Sequence, residues 1–435
     1  MNEQHMVNIA TRPFGWLLLA VFVIGYYFIA TEERYRLNKA EPALFIGTFM
    51  FMLLGGYYLF TGADLQIFHN ALSRLILDIA EIFFFLFVAM TYIETLIERG
   101  AFDALKYRLL KAGYSYKQLF WVTGILAFFI SPVADNLTTA LILSTVLYTL
   151  DKNNKAFLVP SAISIVVAAN AGGAWSPFGD ITTLMSWSAG KGDFADFIFL
   201  FPAVFLGWGV TAFLLSRFVP KGKPAGVDSC EPVKMQKGGM VIIFLGVFTI
   251  ILAIAGKQLL HIPPMWGMLF GLSLLQLYAI RLKKIHNSDI SLYQSISKIE
   301  LDTLLFFFGI LAAVGALHVA GFLDYAVKLY SIFDPTKVNI GVGVLSAFID
   351  NVPVMSAVLK ANPHIDMQQW MLVTMTAGIG GSLISFGSAA GVGVMGKLKG
   401  IYTFSSHLRL AWTVFVGYVV SIAIWYIQFK LLGLC

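Results

Sequence analysis

Apolar runs long enough to cross a lipid bilayer follow one another from Phe14 almost to the end of this 435-residue chain, with only short polar gaps between them. A helix needs about 20 residues to cross a hydrocarbon core of roughly 30 Å. Inside that core each backbone amide must be satisfied within the protein, so successive runs of this kind fold as a bundle of transmembrane helices. Composition agrees, with 58% hydrophobic and 12% charged residues, whereas a soluble domain carries about a quarter charged. The first run, 14–30, has no small-x-small cleavage site and is followed by more of the same pattern, so it reads as a span and not as a signal sequence. The net charge of +6 is the excess expected when Lys and Arg are retained on the cytoplasmic side, and it calls for no nucleic-acid partner. Cys230 and Cys435 form neither a disulfide framework nor a metal-ligand spacing.

The spans expected in the first half are 14–30, 43–60, 79–97, 156–189 and 196–217, and in the second 240–256, 264–280, 302–319, 370–396 and 410–429. Two further segments, 117–150 and 338–360, are interrupted at Asp135-Asn136 and Asp350-Asn351. Their arms, taken as about 14 and 11 residues, reach only about 15 to 21 Å at 1.5 Å per residue, so both segments read as re-entrant hairpins. Five crossings per half is an odd number, which places the second half upside down relative to the first. The expected fold is therefore an all-α membrane protein of two inverted repeats, each with five transmembrane helices and one re-entrant hairpin, and with broken helices at the midplane. The first repeat is 1–220, a cytoplasmic linker follows at 221–239, and the second repeat is 240–435. With both termini outside, 22 of the 30 Lys and Arg residues fall in inner segments, which supports that orientation.

A repeated pattern marks where function lies. Ser131-Pro-Val-Ala-Asp135-Asn136 matches Ser346-Ala-Phe-Ile-Asp350-Asn351, each at a hairpin tip. Further on, Gly172-Gly173-Ala-Trp-Ser-Pro177-Phe178-Gly179 matches Gly380-Gly381-Ser-Leu-Ile-Ser385-Phe386-Gly387, each inside a long apolar segment. Glycine pairs near Pro177 or Ser385 interrupt the helical hydrogen-bond ladder, and freed backbone groups at membrane depth are tolerated only where they face protein, water or a ligand. Side chains at these interruptions add oxygens from Asp135, Asn136, Thr138, Asn170, Asp180, Thr182 and Thr183, and in the second half from Ser346, Asp350, Asn351, Ser385 and Ser388. An all-oxygen set without thiolate or imidazole suits a hard cation such as Na+. The set is uneven: Asp180 of the first half is matched by Ser388 in the second. An acid at membrane depth costs at least about 2.5 to 3.5 kcal/mol, which favours a functional role for Asp135, Asp180 and Asp350. Glu81 and Asp302 open equivalent helices, and Glu81 reads as lying about one turn inside its own. His69, His318 and His407 lie close to loops.

On SPVADNLTTA from Ser131 and NAGGAWSPFGDITT from Asn170, the chain resembles the NhaD-type sodium/proton antiporters, in a superfamily that also holds arsenite permeases and dicarboxylate transporters. The resemblance covers nearly the whole chain. It implies scaffold and transport units with an elevator-like movement, and essential residues at Asp135, Asn136, Asn170, Asp180, Thr182, Asp350 and Asn351, with proton coupling through Asp135, Asp180, Asp350 and Glu81. It also implies a homodimer in a bacterial inner membrane, taking Na+, Li+ and H+ as substrates with no cofactor, in the service of sodium and pH homeostasis. The nearest rival is an anion or arsenite carrier of the same superfamily. Dicarboxylate relatives place Ser-Asn-Thr at the hairpin tips, whereas this chain has Asp beside Asn at both, a fixed charge that repels carboxylates. Arsenite, neutral at pH 7, stays open. An intramembrane aspartyl protease would need a GxGD signature, and Pro177 stands at its first glycine in Pro177-Phe178-Gly179-Asp180. The chain thus reads as a carrier and not an enzyme.

Overall fold

The structure is a computed structural model that describes residues 8–31, 35, 37–224, 234–286 and 291–433. Cys230 and Cys435, and residues 225–233 of the linker, lie outside the described residues. Helices are the only regular elements among the described residues. In the first half they are α1 (Pro13–Ala30), α2 (Ala40–Thr61), α3 (Leu65–Glu98), α4 (Ala101–Lys111), α5 (Tyr116–Ala134), α6 (Asn136–Leu150), α7 (Lys155–Ala174), α8 (Ile181–Ser188), α9 (Phe194–Ile198) and α10 (Phe201–Leu215). In the second half they are α11 (Gly239–Leu260), α12 (Pro264–His286), α13 (Leu292–Lys298), α14 (Leu301–Val319), α15 (Asp324–Ile332), α16 (Pro335–Leu345), α17 (Asn351–Ala361), α18 (Met367–Gly380), α19 (Ala389–Lys397), α20 (Phe404–Leu408) and α21 (Ala411–Trp425), which ends in a π-helical turn, Tyr426–Leu431. Ten of the described helical segments are long and apolar enough to cross a membrane. The chain is an integral membrane protein.

The ten spans are not quite the expected ten. The first hairpin's leading arm, α5, is 19 residues long and apolar enough to cross the core by itself, about 28 Å at 1.5 Å per residue. The arm estimate of about 14 residues holds for α6 but not for α5. Conversely, segment 370–396 divides into α18 and α19, of 14 and 9 residues, each too short to cross alone. The other expected broken helix, 156–189, divides as anticipated into α7 and α8. Helix α3 corrects another expectation. It starts at Leu65 and runs for 34 residues, so Glu81 lies in its middle and not one turn from its start. Its leading turns carry Gln66, His69, Asn70, Ser73, Arg74 and Asp78, which hide the helix from a search for apolar runs.

The chain divides into two compact units, each drawing on both halves of the sequence. One comprises the described parts of 1–94, 248–334 and 356–364. At its centre α2 packs on α14, where small residues let the backbones meet: a Cβ on Gly309 would fall 2.3 Å from the Ala43 carbonyl carbon. Close approach through small residues is the usual way helices associate where lipid offers no hydrophobic driving force. The same unit holds the phenol of Tyr92, which bonds to the Thr249 hydroxyl and donates to the Gly271 carbonyl, both at 2.8 Å.

The other unit comprises the described parts of 95–247, 335–355 and 365–435, and it contains every interruption picked out by the repeat. Its packing is itself repeated. Helix α5 packs on α7 as α16 packs on α18, and α6 runs against α19. Helix α7 is the most enclosed of the ten spans, largely apolar from Phe157 onward and buried along almost its whole length. A helix hydrophobic on all sides belongs in the middle of a bundle, and this one delivers Asn170 and the Gly172-Gly173 pair to the unit's interior.

Candidate ion site

Four short helices begin at the interruptions, each with its start in the second unit, and the residue at each start is polar. Asp135 caps α6, Asp180 caps α8 and Ser388 caps α19, each with its side chain accepting from the backbone of its own first turn. The fourth start, α17, is entered through Asp350, whose Oδ1 accepts from the Val352 amide at 3.3 Å. Helix N-termini carry partial positive charge and leave amides to be satisfied, so these caps are locally favourable.

The two halves meet their backbone requirements in the same way. Ser131 donates to the Ala169 carbonyl at 2.6 Å, and Ser346 donates to the Ala377 carbonyl at 2.7 Å, the equivalent bond in each half. Gly172 lies against the Phe128 carbonyl where Gly380 lies against that of Gly343. Asp180 and Ser388 sit at φ −144° and −146°. The repeat seen as letters is thus also a repeat of contacts. Ser346, one of the expected ion ligands, gives its proton to Ala377 and so braces the hairpin against α18. Thr183 similarly donates to the Gly173 carbonyl at 3.4 Å. Thr138 spends its amide and hydroxyl on the two oxygens of Asp135, both at 2.8 Å.

Where the halves differ, a polar cluster forms. Asn170 of the first half corresponds to Gly378 of the second, and Asp180 to Ser388. Asn136 donates from Nδ2 to Asn170 Oδ1 at 3.0 Å and to Asp180 Oδ2 at 3.3 Å. Asn351, the equivalent of Asn136, also turns to Asp180, with Nδ2 at 3.4 and 3.3 Å from the two oxygens. Asn170 Nδ2 in turn donates to Ser382 Oγ at 2.7 Å and Ser388 Oγ at 2.9 Å. The site of a Gly378 Cβ would be 3.4 Å from Thr182 Oγ1 and 3.6 Å from Asp180 Oδ2, so the missing side chain keeps that ground clear. Asp180 is 4% exposed and accepts in addition from the Thr182 amide at 3.0 Å. None of its hydrogen-bond donors carries a positive charge, and no Lys or Arg pairs with it among the described residues.

The expected residues therefore sort by position. Asn136, Asn170, Asp180, Thr182, Asn351 and Ser388 come together around one carboxylate. Asp135 and Asp350 are half-buried caps at the two hairpin tips. Ser385 contributes a fully buried hydroxyl with no protein partner. Glu81 belongs to the first unit, where Asp78 and Lys257 are its charged neighbours and Asp78 pairs with Lys360.

Two participants escaped the sequence. Ser382 binds Asn170, yet its partner in the repeat is Ala174, so matching the halves drew attention away from it. Thr139 is 1% exposed with an unbonded hydroxyl. Its spacing of three from Asn136 puts both on one face of α6, a signal that was available in Asp135-Asn136-Leu-Thr-Thr139.

Comparison with known proteins fits this site. Residues 14–378 match the family model described as citrate transporter. The Na(+)/H(+) antiporter NhaD of Vibrio cholerae is 42% identical over 97% of this chain and 93% of its own length. That of Alkalimonas amylolytica is 40% identical over 96% and 91%, and sodium/proton antiporter 1 of Arabidopsis thaliana is 31% identical over 93% and 70%. With its glycine interruptions, its capping aspartates and near-complete alignment at such identity, the chain belongs to the NhaD family of sodium/proton antiporters, within the wider citrate transporter family.

Proposed function

We propose that this protein exchanges Na+ or Li+ for H+ across a membrane, with Asp180 as the carboxylate that takes either cation or proton. One observation carries this: a buried carboxylate surrounded only by neutral donors. A charge withdrawn from water without a partner costs several kcal/mol, so such a group is held either protonated or against a cation. Alternation between those two forms is exchange. The oxygens that would complete a sodium shell are those of Asn136, Asn170, Thr182, Asn351, Ser385 and Ser388, with Asp135 and Asp350 supplying negative charge at the hairpin tips. Citrate, named by the wider family, is a poor match, because a tricarboxylate needs cationic groups and no Lys or Arg pairs with Asp180 among the described residues. Proton flux in vesicles, with Na+, Li+, K+, arsenite and citrate supplied separately, tests the proposal. A response to Na+ or Li+ is expected, and silence to both overturns it.

Three finer features belong to the same proposal. The protein works as a homodimer in a bacterial inner membrane, and its transport unit moves in the manner of an elevator. Both termini are periplasmic and the linker is cytoplasmic. An impermeant thiol reagent added to intact cells should leave Cys230 unmodified, and modification from outside would reverse the orientation.

Exchange is electrogenic. Three carboxylates serve one monovalent cation, so neutralising them takes more than one proton for each sodium released. Transport then draws on the membrane potential, at about 2.3 kcal/mol per charge per 100 mV. The end-point sodium gradient in vesicles with a clamped potential should shift as the potential is changed. An end point indifferent to potential would mean one-for-one exchange.

A further inference from the structure

The backbones of the two interruptions repeat, but their side chains differ in a compensating way. In the repeat Asn170 pairs with Gly378, Ala174 with Ser382, Asp180 with Ser388 and Thr182 with Ala390. On one side the Asn170 carboxamide fills its place, with Nδ2 donating to Ser382 Oγ at 2.7 Å and to Ser388 Oγ at 2.9 Å. The same positions recur around Gly378 with the halves exchanged. A Cβ on Gly378 would stand 3.5 Å from Ala174 Cβ, 3.6 Å from Asp180 Oδ2 and 3.4 Å from Thr182 Oγ1. Where the first side has an amide held by two serines, the second has a glycine, a methyl group and two oxygens.

Nothing in the packing calls for that glycine. It lies inside α18 without a positive φ, and the three distances from its Cβ position are ordinary van der Waals contacts. Alanine is the better residue in a helix interior. Gly378 differs in this from Gly380, whose Cβ would strike backbone at 2.0 Å. Glycine without a steric reason suits a place where a ligand comes close to the chain. The oxygens facing it have capacity to spare. Thr182 is 0% exposed and its hydroxyl has no hydrogen-bond partner, a costly condition unless a ligand satisfies it. Asp180 Oδ2 accepts from Asn136 and Asn351 only at 3.3 Å each. Na+ is close in size to Ca2+, which oxygens hold at about 2.3–2.6 Å. A cation touching both oxygens on the glycine side would lie about 1 Å from the place of that Cβ, so the two exclude each other.

We propose that the cation seat lies in front of Gly378, against Asp180 Oδ2 and Thr182 Oγ1, and that Gly378 sets its size. Asn170 fills the equivalent place on the other side of the repeat, so the two halves build one seat and not two. The proposal rests on the exchange function assigned above and gives it a location and a count.

The test uses full-length protein in proteoliposomes, with proton flux driven by Na+ or by Li+. Gly378→Ala should fold and melt no lower than wild type. It should raise the apparent KM for Na+ about 10- to 100-fold, the cost of overfilling a close-fitting site by one carbon. Li+, the smaller ion, should lose less, so the preference shifts toward lithium. Gly341→Ala, whose Cβ meets nothing within 4 Å, should leave both KM values as they are. If Gly378→Ala fails to fold, Thr182→Val decides: it loses only an unpartnered hydroxyl, so melting should hold or rise, while KM rises for both ions. Radioactive sodium bound to the purified protein at saturation should amount to one ion per chain. An unchanged KM in folded Gly378→Ala or Thr182→Val, equal losses for Na+ and Li+ in Gly378→Ala, or two ions per chain overturns the proposal. A wild-type protein without flux in response to either ion refutes the exchange function instead, a result distinguishable from these.

Discussion

Asp180→Asn should abolish sodium-dependent proton flux while leaving the protein folded. The substitution preserves size and an oxygen able to accept from the Thr182 amide, so the cap on α8 survives in kind. What disappears is the only buried carboxylate at the centre of the polar cluster. Losing one partner of a buried charge pair costs about 3–5 kcal/mol, which is a fall in cation affinity of about 100-fold or more. The side chains around Asp180 turn a small change into a large one. Asn136 and Asn351 both direct Nδ2 toward it, and an amide in its place offers a single oxygen to donors that now share two. Ser388→Ala, at the equivalent position in the second half, should be milder. It removes one hydroxyl bonded to Asn170 and to the Gly391 amide, and no charge. Flux through reconstituted variants, normalised to protein inserted, gives the comparison. Equal losses in the two would mean that charge at Asp180 is not what the site depends on.

Gly380→Ala should cost the protein its folded second interruption. A Cβ at Gly380 would stand 2.0 Å from the Gly343 carbonyl oxygen and 2.8 Å from its carbon. Both are backbone atoms and cannot swing aside as a side chain would. Helices α16 and α18 must separate, and with them the Ser346–Ala377 bond at 2.7 Å that ties the hairpin tip to α18. Overpacking of a well-filled interior costs typically about 1–3 kcal/mol, and more where backbone must move. The variant should melt several degrees lower in detergent and transport poorly at any sodium concentration, a loss of maximal rate and not of affinity. Gly396→Ala is the control, since a Cβ there has nothing within 4 Å and alanine suits a helix interior better than glycine. Unaltered melting of Gly380→Ala would mean that the two helices are less closely packed than described.

These two effects show which parts of the molecule were legible in the letters. Interruptions at Asp135, Asp350, Gly172-Gly173 and Gly380-Gly381 stand out because glycine and aspartate are conspicuous in an apolar run, and their recurrence at matched spacing places the site without any coordinates. The division of labour among the oxygens was not legible. Ser346 and Thr183 look like ligands by type, and what the letters do not show is that each gives its proton to a carbonyl of another segment, whereas Thr138 donates to the Asp135 carboxylate three residues before it. Ser382 was hidden by the opposite effect, because alanine stands in its place in the first half. The leading turns of α3 escape because hydropathy records where apolar residues lie and not where a helix starts, whereas the length of α5 follows from the interruption at Asp135, which leaves the leading arm of 117–150 longer than the trailing one. Which spans pack together was beyond the sequence as well. Both compact units draw on both halves, and nothing in a pattern of apolar runs specifies that pairing.

Asp180 as the shared seat of sodium and proton makes a direct demand on the purified protein. In weakly buffered detergent solution, adding Na+ or Li+ should release protons into the medium in proportion to the cation bound. Potassium should release none, and Asp180→Asn should release none with any cation. Proton release that is undiminished in Asp180→Asn, or sodium binding unaccompanied by any proton release in the wild-type protein, would contradict the account.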